Sequence, residues 1–194
     1  MYVNEVVVCV FHVIYIYIVR VHHSMMSQPR KLKILMLHGF RQNKPGFYDK
    51  TGGLRKFLKS KCELIYCDAP NEVIKPDFLA ASSVDDADST TSAAQQGEVE
   101  KGWWLRCLDP RWPVVEESQN GFDKSLKCIE SAFNEFGPID GILGFSQGAS
   151  LTSLLCAISE ANANNEPIEI FNRRYETIRF NFCLIIAGHK STQK

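Results

Sequence analysis

The stretch GFSQG at residues 144–148 constrains this chain more than any other: Ser146 is flanked by Gly144 and Gly148 where a buried-strand pattern gives way to a helical one. Residues 139–145 (IDGILGF) read as a short buried strand, and residues 149–158 carry Leu151, Leu154, Leu155 and Ile158 at helical spacing. A sharp strand-to-helix turn leaves little room for side chains. Glycines two places either side of the serine let the neighbouring elements approach, and the serine hydroxyl is held out at the end of the sheet. The spacing alone arises by chance in many loops; the strand before it and the helix after it are what make it a nucleophile elbow.

At 194 residues the chain suits one domain with a substantial core. Lys plus Arg and Asp plus Glu number 22 each, so no overall field is available to hold nucleic acid or an anionic membrane, and neither is expected as a partner. Cys9, Cys62, Cys67, Cys107, Cys128, Cys156 and Cys183 are scattered, odd in number and mostly embedded in apolar runs. With no C-x-x-C pair they read as buried free thiols, which points to a reducing compartment, the cytoplasm and with it the nucleus.

Residues 6–19 (VVVCVFHVIYIYIV) are almost all apolar, but a run of about 14 falls short of the roughly 20 needed to span a bilayer. Its basic residues follow the apolar core instead of preceding it, which is the wrong order for a signal peptide. Residues 1–26 are therefore expected to be an extension outside the domain, with a membrane or targeting segment and an extra strand as the alternatives. A start at Met25 or Met26 would lead directly into the first core strand, KLKILML at 31–37.

That strand enters His38-Gly39-Phe40-Arg41-Gln42-Asn43. In folds with a nucleophile elbow, the loop after an early strand supplies one backbone N–H to an oxyanion hole, and the residue after the nucleophile supplies the other. Phe40 and Gln147 are the expected donors. His38 is expected to pack or hydrogen-bond locally and hold the loop; a base in this fold normally follows the serine in chain order.

Residues 44–61 read as loop and helix, and 62–67 (CELIYC) as a second strand stopped at Asp68-Ala69-Pro70. Two strands flanking a helix make a βαβ unit and argue for a parallel sheet. From 71 to 102 the composition shifts, with Asp85, Asp86 and Asp88 among Ser, Thr, Ala and Gln, the pattern of a loop insertion. Trp103, Trp104 and Trp112 follow closely, as pocket walls or as core. Phe122, Leu126, Ile129 and Phe133 mark an amphipathic helix over 121–136, ended by Gly137-Pro138. A polar loop with at most a helical turn is expected over 162–174, and a last strand over 178–187 (IRFNFCLIIA).

With LHGFRQN at 37–43, GWW at 102–104, ILGFSQGA at 142–149 and AGHKS at 187–191, the chain resembles the FSH-type serine hydrolases, the family of the ovarian-cancer-associated protein 2 homologues and their fungal relatives. GFSQGA is shared with acyl-protein thioesterases and carboxylesterases; HGFRQN and GWW make the choice. The resemblance implies an α/β-hydrolase fold with a mostly parallel sheet and helices on both faces. It implies esterase or thioesterase activity on small acyl substrates through a Ser146 acyl-enzyme, with no metal or organic cofactor. Trp103 and Trp104 are the expected substrate-pocket residues.

The family's acid and histidine lie after two further strands, so residues 27–194 are expected to form a hydrolase domain lacking its last strands. No Asp follows Asp140, and the one histidine after Ser146 is His189. Glu176 and His189 keep the order serine, acid, histidine. Parallel sheets, however, set their sites at the carboxyl ends of strands, and about nine residues at roughly 3.3 Å each put Glu176 near the opposite edge, while His189 falls on the correct edge but a strand early and is the one remaining candidate for the base. The alternative reading is a non-catalytic hydrolase-fold protein that binds a ligand or partner, with an exposed edge at the last strand as a possible dimer contact.

Overall fold

The computed structural model describes residues 6–11, 14–20, 30–73, 99–105 and 121–186. Trp112, His189, the acidic run at 85–88, Met25 and Met26 lie outside them. Four apolar runs form the parallel centre of the sheet: β3 (Leu32–Leu37), β4 (Cys62–Cys67), β7 (Gly141–Phe145) and β10 (Phe182–Ile186), in the spatial order β10-β7-β3-β4. Leu35 lies opposite Ile142 and Ile65, and Leu143 opposite Leu184. These strands read as nearly unbroken apolar runs because both faces of the sheet are covered.

Side chains along a strand point alternately to its two faces, and the core divides accordingly. Leu35, Leu37 and Ile142 join Leu126, Ile129 and Phe133 of helix α3 (Phe122–Phe136) and Leu151, Leu155 and Ile158 of helix α4 (Gln147–Ala163). Ile34, Met36 and Leu143 pack on the other face with Phe47 of helix α1 (Lys44–Lys50). The result is a parallel sheet between helices, the α/β-hydrolase type of fold. After β3 the chain moves outward to β4, then returns across the sheet to β7 and continues to β10. The strand order reverses at β3 and β7, and crevices at the carboxyl ends of such strands are where α/β sheets bind ligands.

Residues 44–61 form two short helices, α1 and α2 (Gly52–Leu58), meeting at Thr51. Asn43 caps α1 by accepting from the Gly46 N–H at 2.9 Å. Helix α4 runs five residues beyond the expected 158. Its Asn162 is buried and donates to Tyr175 O and Ile178 O, while Ser159 Oγ accepts from Phe180 N at 3.0 Å. Side chains of α4 thus bond the backbone at Tyr175, Ile178 and Phe180, residues that are buried without strand pairing, and β10 starts at Phe182 instead of Ile178. The polar stretch after α4 is a hairpin, β8 (Glu169–Ile170) and β9 (Arg173–Arg174), turning on Phe171 and Asn172 at φ of 52° and 57°.

The apolar N-terminal run supplies β1 (Val6–Phe11) and β2 (Ile14–Arg20). They pair antiparallel with each other, and β2 pairs antiparallel with β10, Ile18 lying opposite Leu184. The stretch expected outside the domain therefore joins its sheet, and the β10 edge expected to be open is paired. IYIYIVR is rich in the β-branched and aromatic residues that favour strands, and an unpaired parallel edge offers a row of backbone groups to such a segment. Among the described residues no helix is long and apolar enough to cross a membrane. Two two-residue strands, β5 (Asn71–Glu72) and β6 (Lys101–Gly102), close a separate ribbon beside the carboxyl end of β3.

Candidate functional site

Ser146 is the residue between β7 and α4, and its backbone sits at φ 52° and ψ −112°. This region favours glycine, and a serine held there carries strain of about 1–3 kcal/mol that the surroundings must impose. The flanking glycines show how. A Cβ on Gly144 would lie 2.3 Å from Thr152 Oγ1 and 2.4 Å from Gly148 O; one on Gly148 would lie 2.4 Å from Leu37 O and 2.6 Å from His38 O. Helix α4 is packed against β7 at Gly144 and against the end of β3 at Gly148 so closely that only hydrogen fits at either position. The Ser146 N–H donates to Ile186 O at 2.9 Å, tying the elbow to the end of β10 as well.

The loop after β3 meets the elbow through Gly39, whose added Cβ would stand 3.3 Å from Ser146 Cβ and 3.1 Å from the Phe145 ring. Gln42 shapes this loop: its Oε1 accepts the Gly39 N–H at 2.9 Å, leaving the next peptide N–H, that of Phe40, without a protein acceptor among the described residues. Gln147 opens α4, and the first N–H groups of a helix have no intrahelical acceptor. Among the described residues the expected pair of donors, Phe40 and Gln147, is therefore uncommitted, and both side chains meet Gly102, whose Cβ would fall 2.8 Å from the Phe40 ring and 3.3 Å from Gln147 Oε1.

His38 is fully buried beneath this loop. Its Nε2 accepts from the Ala69 N–H at 3.0 Å, so the proton lies on Nδ1, 2.8 Å from Gly39 O. Neither nitrogen is left for Ser146, and His38 acts as a strut between β3 and the end of β4. Beside it, burial would raise the Asp68 carboxyl. Lys101 Nζ at 2.8 Å and the Lys44 N–H at 2.9 Å hold it down at about 2. Asp68 thereby joins β4, α1 and β6 around the floor of the loop.

Trp103 has no accessible surface, which corrects its expected place in a substrate pocket. It is a brace: its Nε1 donates to His38 O at 2.8 Å, and its carbonyl accepts from Asn71 Nδ2 and from Ser125 Oγ. Trp104 is half-buried, with its ring edge-on to Phe122 at 5.5 Å. The side-chain amide of Gln147 reads this segment like a strand partner, accepting from Trp103 N at 2.8 Å and donating to Trp104 O at 2.7 Å.

The comparisons with known proteins agree with this geometry. The family described as serine hydrolase (FSH1) matches residues 26–194. The chain belongs to this FSH1 serine hydrolase family. Among its relatives, Esterase OVCA2 of Xenopus tropicalis is 36% identical over 168 residues, which cover 85% of this chain and 64% of that protein. Esterase OVCA2 of Danio rerio is 36% identical over 82% of this chain and 66% of its own length; that of Homo sapiens, 36% over 75% and 63%. The chain thus spans slightly less than two thirds of these relatives.

In this FSH1-family chain the structure gathers Gly39, Phe40, Gly102, Ser146 and Gln147 at the carboxyl ends of β3 and β7. Glu176 is not among them. It lines an open cavity of about 330 Å³ with Asn162, Arg174 and Arg179, and Asn162 stands 15 residues along α4 from Gln147, about 22 Å away. His189 lies outside the described residues, and among those described Ser146 Oγ has no hydrogen-bond partner. Sequence reasoning missed the amide side chains of Gln42 and Gln147. Gln42 sits inside HGFRQN and Gln147 inside GFSQGA, where a residue able to donate and accept is the available signal.

Proposed function

We propose that this chain carries the nucleophile and oxyanion-binding half of a carboxylic ester or thioester hydrolase, acting through an acyl-enzyme on Ser146. The observation that carries this reading is the backbone of Ser146, held at φ 52° and ψ −112° against Gly39 and at the start of a 17-residue helix. In it, Ser146 Oγ attacks the acyl carbonyl carbon, and the carbonyl oxygen gains negative charge as it moves toward the N–H groups of Phe40 and Gln147. The positive end of the α4 dipole favours the same charge. Collapse of the tetrahedral species expels the alcohol or thiol, and water then releases the acid from the serine. Trp104 offers the apolar surface for the acyl group beside Gln147.

A serine at its ordinary pKa is a weak nucleophile, and this mechanism needs a base. His38 is committed at both nitrogens, so in this reading the base comes from outside the described residues. An oxyanion hole and binding alone would leave roughly 10³–10⁴-fold acceleration over water. That no described residue partners Ser146 Oγ also favours a second reading, in which the chain binds an acyl ligand without turning it over. A fluorophosphonate probe and p-nitrophenyl esters separate the two. Esterase reading: labelling lost in Ser146→Ala, together with ester turnover. If no label appears while an acyl ligand still binds, the second reading stands and the esterase reading falls.

A further inference from the structure

We propose that Cys67 and Cys128 form a peroxide-responsive thiol pair that closes to a disulfide between the end of β4 and helix α3. Their sulfurs lie 3.6 Å apart, both side chains are partly accessible, and both thiols converge on one acceptor, Asp68 O, at 4.0 and 3.6 Å. Closing to the bonded length of about 2.05 Å asks for a movement of about 1.5 Å, within reach of a side-chain rotation or a small helix adjustment. The two sulfurs belong to elements 61 positions apart, so the contact is made by the fold and not by neighbouring turns of one helix.

The pair is asymmetric. The hydrogen-bonding contact with Cys67 lowers the Cys128 thiol, with burial and the Asp68 carboxylate opposing and Lys101 favouring the thiolate; Cys67 is pushed well up by the same contact and by burial. Cys128 is then the attacking sulfur. Its thiolate displaces hydroxide from hydrogen peroxide, breaking the O–O bond and forming a sulfenic acid; peroxide takes up two electrons and, with a proton, leaves as water. The Cys67 sulfur attacks the Cys128 sulfur, the S–O bond breaks, and the hydroxide leaves as water with the Cys67 proton. Two thiols and one peroxide give one disulfide and two waters.

A second contact supplies an internal reference. Cys156 and Cys183 lie 3.2 Å apart, but Cys183 has no accessible surface, and the hydrogen bond to Cys183 with burial pushes the Cys156 thiol up. That pair stays reduced under mild oxidant. The Cys67–Cys128 bond, by contrast, would join two supports of the site. Asp68 and Ala69, just after Cys67, hold Lys44, Lys101 and His38, and Ser125 of α3 donates to Trp103 O.

The test treats the full chain with stoichiometric hydrogen peroxide, alkylates remaining thiols in denaturant and maps tryptic peptides without reductant. The expected result is a linked pair of peptides, one starting at Cys62 and one at Cys128, with fragment ions assigning the bond to Cys67 instead of Cys62 and to Cys128 instead of Cys156. Loss of two alkylatable thiols per chain and reversal by dithiothreitol accompany it. In Cys67→Ser the sulfenic acid persists on Cys128 and is trapped by dimedone at least about tenfold faster than on Cys156. No linked peptide in the native chain, or linkage through Cys62, overturns the proposal, as does oxidation of Cys156 at the same rate as Cys128. The native-chain mapping decides even if the serine variant fails to fold.

Discussion

Gly148→Ala tests whether the elbow is built by close approach of α4 to the end of β3. The new methyl carbon would sit 2.4 Å from Leu37 O and 2.6 Å from His38 O, about 1 Å inside ordinary contact, and both neighbours are backbone atoms that cannot rotate away. Overpacking of this kind costs about 1–3 kcal/mol, and the helix preference of alanine over glycine returns at most about 1 kcal/mol. A net loss near 2 kcal/mol in a chain of this size lowers the melting temperature by about 4–8 °C. The displaced carbonyls belong to the strand that carries Gly39 and Phe40, and a shift of about 1 Å at a reacting centre can slow chemistry by about 100-fold. Thermal unfolding followed by circular dichroism gives the first quantity, and the rate of fluorophosphonate labelling gives the second. Gly53→Ala is the matched control. Nothing lies within 4 Å of its added Cβ, so about 0.5–1 kcal/mol of stabilisation is expected. If Gly148→Ala melts with or above the native chain, close packing is not what forms the elbow.

Ser146→Gly should relieve the backbone at φ 52°, raising the melting temperature by a few degrees while abolishing fluorophosphonate labelling; an unchanged or lower melting temperature would show that the residue is unstrained. Asp68 has a folded pKa of about 2, depressed from 3.8, so its contribution is fully present above about pH 4 and is lost as pH falls through 3.8 toward 2. Its carboxylate is about a third exposed, which reduces that contribution to about 1 kcal/mol. Asp68→Asn should therefore destabilise the chain at neutral pH and leave its stability at pH 2 unchanged, as urea titrations at the two pH values would reveal.

The sequence discloses those parts of the fold whose signal is local. CELIYC is a strand over the residues expected, and α3 starts one residue from its predicted boundary, because apolar spacing and the Gly137-Pro138 stop lie within one short window. Residues 178–181 mislead because buried Ile178 and Phe180 alternate with exposed Arg179 and Asn181 as in a strand, while the backbone at Ile178 and Phe180 bonds to Asn162 and Ser159. The β8–β9 hairpin lacks the usual signal, since Phe171 and Asn172 occupy the positive-φ positions where glycine is expected. At the site, Ser146 and its glycines are legible from spacing. The fate of Trp103 is not, because size and apolarity suit a pocket wall and a core brace equally. The Gln147 amide bonds to residues 44 and 43 positions away, and no period in the sequence encodes such a pair.

Asn71 has a consequence for how this chain could change length. Its side-chain nitrogen stands 3.1 Å from each of three carbonyls, Gly102 O, Trp103 O and Gly121 O, while Val73 N donates to Glu100 O. Val73 and Glu100, and Trp103 and Gly121, are thereby fastened to one another whatever lies between residues 74 and 98 and between 106 and 120. Once the ends of a loop are held, each doubling of its length adds only about 0.6 kcal/mol to the entropy of closure. Those two intervals are where insertions and deletions should accumulate among descendants of this gene with least effect on the site, and Asn71 is the residue that makes such drift affordable.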